Sequence, residues 1–102
     1  MIDGLVAGRI HGKPVERLGQ NGRPYVLAKV LAPNAEGDAH IVNVISFVDK
    51  VGDELLRLED SDSVALSGSL VPKVWTDKQG MVRACLDMVA HALLTPKSRA
   101  AG

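Results

Sequence analysis

Few residues in this chain are suited to covalent or metal chemistry, and none has the spacing for it. His11, His40 and His91 fall on separate stretches without a His-x-x-x-His pattern. The single cysteine, Cys85, can build neither an intrachain disulfide nor a zinc site with several thiolate ligands. There is no Walker-type glycine loop, no Gly-x-Ser-x-Gly and no carboxylate pair set apart from a helix face. The sequence therefore predicts no enzyme, no metal and no cofactor, with the histidines and Cys85 in structural roles. What remains is non-covalent chemistry: flat aromatic faces and cations. There are only three aromatic residues, Tyr25, Phe47 and Trp75. Trp75 lies between Lys73 and Lys78, outside any apolar run. A buried indole needs a partner for its N–H, whereas one on a projecting basic hairpin can reach a ligand. Phe47 ends a β-branched run, where composition alone favours the core. Tyr25 follows Pro24 and is expected to pack at a sheet edge. Arg9, Arg17, Arg23, Lys29, Lys73, Lys78 and Arg83 lie on or beside expected strands and turns and could together line a groove, Lys73 and Arg83 foremost. Lys97 and Arg99, near the end of the chain, could add weak phosphate contacts.

The elements that must position these groups are readable from pattern. At 102 residues, with 46% hydrophobic and 24% charged residues, the chain has the composition of one folded domain and is far from that of a disordered one. Net charge is zero, but the stretch from Asp49 to Asp62 holds six acids against two bases, leaving it at −4 and the remainder at +4. No segment approaches the roughly 18 apolar residues of a membrane span, and the start carries Asp3 with no basic run before an apolar stretch. A reducing cytoplasm is the expected location.

Residues 2–10, with Gly4 and Gly8, read as a bent strand. Gly19 to Pro24 is dense in turn chemistry, with Asn21-Gly22 able to supply positive φ. Tyr25 to Ala32 is a second strand closed by Pro33-Asn34, and His40 to Phe47 (HIVNVISF) is a strongly β-branched third. From Val48 to Leu58 the pattern becomes helical, with Val51, Leu55 and Leu58 forming one apolar stripe. VALSGSLV is a fourth strand, with Gly68 permitting a bulge and Pro72 marking a change of course. Trp75 to Gly80 reads as a hairpin tip. Met81 to Leu94 contains many helix formers, yet its alternation and its place after that tip favour a fifth strand. Five strands with one short helix between the third and fourth give an all-β, five-stranded oligonucleotide-binding (OB) barrel over residues 1–94, followed by a disordered tail at 95–102.

Over roughly residues 2–94 the sequence resembles the bacterial single-stranded DNA-binding protein (SSB) family. The opening LVAGRI with Pro14, the Asn21-Gly22 turn, and above all the ungapped run from Phe47 through Val-Ala-Leu-Ser-Gly to Trp75-Thr76-Asp77-x-x-Gly80-x-x-Arg83 carry the resemblance. It implies sequence-independent binding of single-stranded DNA in replication, recombination or repair, in the cytoplasm and near the nucleoid. It also implies that Phe47 and Trp75 stack on bases, and that Lys73, Arg83 and Arg17 line the strand's path. Ile41 stands where better-known members carry a stacking tryptophan, the Pro33 to Ala39 loop has no aromatic residue, and Asp49 occupies an often basic position. Residues 95–102 lack the family's long linker and acidic tip. Two other readings stay open: a primosomal replication-restart accessory protein, and an OB-fold module that binds proteins and has lost DNA. Apolar residues on both sides of the third strand, Ile41 and Ile45 against Val42 and Val44, need covering. The expected solution is self-association, a homotetramer first and a homodimer second, with no small-molecule substrate and no membrane partner.

Overall fold

The computed structural model describes residues 2–33 and 35–96. In chain order it contains β1 (Ile2–Ile10), β2 (Val15–Leu18), β3 (Pro24–Pro33), β4 (Ala39–Ser46), α1 (Asp49–Leu56), β5 (Ser63–Thr76) and β6 (Val82–Leu94). The strands form one sheet in the order β1-β5-β6-β4-β3-β2, and a further pairing of Arg9 with Leu31 and Ile10 with Val30 joins β1 to β3 and closes a five-stranded ring. All neighbours are antiparallel except β4 and β6, which run parallel from Val42 opposite Leu86 to Ile45 opposite Val89. A closed ring of this order with a helix between its third and fourth strands is the OB barrel that the sequence predicts.

Alternation drives the closure. On β4, Val42, Val44 and Ser46 point inward and are fully buried, while Ile41, Asn43 and Ile45 point outward. Val6, Ile10, Val26, Val30, Leu66 and Met88 fill the interior from the other strands. Ser46 is the one buried polar side chain among the described residues. Its hydroxyl is satisfied by Val48, donating to that carbonyl at 3.2 Å and accepting from that N–H at 3.3 Å. The helical stripe also behaves as read, with Val51, Leu55 and Leu58 all buried and α1 packed mainly on β3 and β6.

The last carbonyls of α1 need partners that the helix cannot supply. Lys13 provides one, its Nζ donating to the carbonyl of Leu56, the last residue of α1, at 3.2 Å, and to that of Leu58 just beyond it at 3.0 Å. This ties the segment between β1 and β2 to the helix end and places a cation at its negative pole. Lys13→Met is expected to lower stability by about 1 kcal/mol, read as a shift in the urea midpoint. An unchanged midpoint would mean that water caps the helix equally well.

Three expectations require correction. β2 was not foreseen: its four residues are all exposed, so no burial pattern marked them, and the strand exists through its pairing with β3, Val15 opposite Leu27 to Leu18 opposite Pro24. Pro72 does not redirect the chain. It lies within a continuous β5, beyond the point where Ile2 of β1 ends its pairing at Leu70, so one edge of β5 is open there and tolerates a residue without an N–H. The hairpin tip is also shorter than read, since Trp75 and Thr76 still pair with Arg83 and Val82. The Asn21-Gly22 turn is as expected, with Gly22 at φ 79° joining β2 to β3. Of the expected tail, residues 97–102, including Lys97 and Arg99, lie outside the described residues.

Candidate functional site

Residues directly opposite each other on paired strands point to the same side of a sheet. The register therefore states which side chains share the outer face. One row crosses four strands, Lys29 on β3, Asn43 on β4, Asp87 on β6 and Val71 on β5. Two residues further along the β5–β6 hairpin, Lys73 is opposite Cys85, and beyond it Trp75 is opposite Arg83. Apart from Val71, these side chains wall an open groove of about 960 Å³, whose lining includes Lys29, Ile41, Asn43, Lys73, Trp75, Arg83 and Asp87. Four of the residues singled out from sequence, Lys29, Lys73, Trp75 and Arg83, thus meet at one site. Trp75 is 53% exposed, its ring available to a flat ligand.

The remaining candidates are dispersed. Phe47 is 61% exposed and continues the outer face of β4, and it packs on the half-buried Tyr25 with ring centroids 6.0 Å apart at 47°. Glu16, Asp49 and Asp53 line the same small depression, so this aromatic pair sits in acidic surroundings. Arg17 is opposite Tyr25 on that face. Lys78 stands at the exposed hairpin tip and Arg23 at the β2–β3 turn. Arg9 lies in a separate depression bordered by Leu31, Pro33 and Ser63. The charge is accordingly less cleanly divided than the sequence suggested.

Two cations of the groove are already paired. Lys73 Nζ is 2.7 Å from Asp87 Oδ2, and that carboxylate, by hydrogen bond and by charge, holds the ammonium pKa above its ordinary value. Asp87 Oδ1 accepts from Asn43 Nδ2 at 3.3 Å. Arg83 Nε donates to Asp77 Oδ2 at 3.1 Å. Asp77 also builds the tip, accepting from the N–H groups of Met81 and Gln79, each at 2.9 Å. The Met81 N–H foremost, with Arg83 and the Gln79 N–H, pulls the Asp77 carboxyl below its ordinary range. A carboxyl with a depressed folded-state pKa stabilises the fold above its unfolded value, and that contribution is lost as pH falls through the folded one. Acidification below about pH 4 is therefore expected to shift the Met81 and Gln79 amide resonances together as the tip loosens. Resonances that stay in place would mean the turn holds without the charge.

Sequence reading missed Asn43 and Asp87. Both carried a signal: Asn43 interrupts the apolar run of β4, and Asp87 is the one charged residue between Arg83 and the end of β6. Among the described residues no group of three or more His, Cys, Asp or Glu converges as a metal site, and no helix is long and apolar enough to cross a membrane.

No protein-family model matches this sequence, and no curated protein matches it. Solved structures do. A small single-stranded DNA-binding protein from Streptomyces coelicolor superposes with a TM-score of 0.74 at 20% identity, over 94% of each chain. The mitochondrial single-stranded DNA-binding protein Rim1 of S. cerevisiae superposes with a TM-score of 0.71 at 15% identity, over 96% of this chain and 97% of its own. At such identities the likeness is one of fold: this chain has the OB barrel of those proteins over nearly its whole length.

Proposed function

We propose that this protein is a member of the SSB family that binds single-stranded DNA without sequence preference and performs no catalysis. The observation that carries this reading is the convergence of an exposed indole, Trp75, with Lys29, Lys73 and Arg83 in one open groove on an OB barrel. An unpaired strand offers a phosphate at every nucleotide and a π-face on every base. Cations along the groove hold the phosphates, and Trp75 stacks a base, an interaction worth about 1–3 kcal/mol and indifferent to base identity. Phe47 and Arg17 extend the path along the outer face, and Arg23, Lys78 and Arg9 add charge at its margins. A duplex keeps its bases stacked inside and cannot use Trp75. The fold's occurrence in single-stranded DNA-binding proteins of a bacterium and a mitochondrion supports the same reading; the expected setting is replication, recombination or repair in the cytoplasm.

Self-association accompanies this function. From Ile2 to Gly8, β1 pairs only with β5, leaving an open edge, and Leu5 on β1 and Leu94 at the end of β6 are 70% and 73% exposed. Open edges and exposed leucines are liabilities that a symmetric assembly removes. A homotetramer is the first expectation and a homodimer the second, distinguishable by sedimentation equilibrium.

The test is fluorescence anisotropy of a labelled oligo(dT) against a labelled duplex at low salt. Tight binding of the single strand with little of the duplex is expected. No binding of either would leave a protein-interaction module as the better reading.

A further inference from the structure

Most side chains lining the groove are apolar or cationic, and of the two acids among them, Asp77 and Asp87, the one on the sheet shared with β4 is Asp87. It occupies the middle of the row that runs from Lys29 through Asn43 to Val71. Both of its oxygens are engaged, Oδ2 by Lys73 at 2.7 Å and Oδ1 by Asn43 at 3.3 Å, so the carboxylate is held in place beside the cation. The second acid of the hairpin, Asp77, differs in kind. Its carboxylate accepts two backbone N–H groups and makes the turn, so its pairing with Arg83 is part of the fold. The partners of Asp87, Lys73 and Asn43, are side chains that themselves line the groove. An ion pair this exposed contributes little to folding. An anionic group in the path of a polyanion, however, acts at short range on every strand that enters.

We propose that Asp87 is an internal competitor that sets the affinity of the groove. In the free protein it occupies Lys73, and a strand gains that lysine as a phosphate contact only by displacing a carboxylate already in place. This rests on the strand-binding reading and deepens it. Asp87 lowers affinity without touching stacking, keeps Lys73 from contributing a full counterion-releasing contact, and makes release of the strand easier. Asn43 is its positioning partner, since its amide fixes the second oxygen.

The consequence is a variant that binds better than the natural protein. Asp87→Asn keeps the shape and an acceptor for Asn43 but frees Lys73, and Asp87→Ser removes the carboxylate in a second way. Oligo(dT) affinity at low salt is expected to rise about fivefold or more in both. The slope of log affinity against log salt is expected to steepen by about 0.7, the increment for one added phosphate contact on a single strand. Lys73→Gln in the Asp87→Asn background should abolish the gain. Glu59→Gln, which removes the same charge from a residue outside the groove lining, should change affinity less than twofold. If the unaltered protein binds oligo(dT) and the Asp87 variants bind no tighter, the competitor role is overturned while strand binding stands. If none of the proteins binds at low salt, both are overturned.

Discussion

Trp75→Ala is expected to weaken oligo(dT) binding by roughly 5- to 150-fold, equivalent to about 1–3 kcal/mol for one lost stacking platform. The size of the effect follows from scarcity. The chain has three aromatic residues. Phe47 and Tyr25 face each other in acidic surroundings, so Trp75 is the only indole or phenyl ring in the groove that holds Lys29, Lys73 and Arg83. The substitution should leave the fold intact, because Trp75 lies on the exposed part of the β5–β6 hairpin, outside the buried core. Trp75→Phe should recover most of the loss, since any ring offers a π-face. Anisotropy titration of the three proteins at one salt concentration measures this. Equal affinity for the alanine variant would mean that the strand passes without stacking on the hairpin.

Gly68→Ala is expected to lower stability by about 3 kcal/mol, at the upper end of what an overpacked interior costs. Gly68 sits where the β5–β6 register shifts: Ser67 is opposite Ala92 but Gly68 is opposite Ala90. A Cβ there would be driven into the carbonyl oxygen of Val89 and close to the Cα of Ala90, which is backbone and cannot rotate aside. Beyond that bulge the same two strands run on to the hairpin that carries Lys73 and Trp75. Relief of the clash must therefore move either the core or the groove. Urea denaturation read by circular dichroism gives the midpoint. A midpoint equal to that of the unaltered protein would mean that the two strands separate locally at no cost.

Much of the fold was legible because alternation and turn chemistry agreed. HIVNVISF could be little other than a strand, Asn21-Gly22 little other than a turn, and the Val51, Leu55 and Leu58 stripe had one face to bury. β2 was not legible, because Val15 to Leu18 buries nothing of its own and is recruited by the edge of β3. For the site, the basic setting of Trp75 was visible, and so was the role of Lys73 and Arg83 as its neighbours. Their pairing with Asp87 and Asp77 was not, because Lys73 meets Asp87 only across a strand register that the sequence does not state. The surroundings of Phe47 were hidden for a related reason. Its exposure was foreseen, but the acids beside it come from β2 and α1, brought there by folding.

The most direct test of strand binding uses the intrinsic fluorescence of Trp75, the single tryptophan, during titration with oligo(dT) at low and then moderate salt. Strong quenching is expected at low salt. Affinity should then fall with salt on a log–log slope of about −1.4 to −2, as for two to three phosphates held by the groove cations. Unchanged fluorescence at low salt, together with the absence of a mobility shift for the same oligonucleotide, would contradict it.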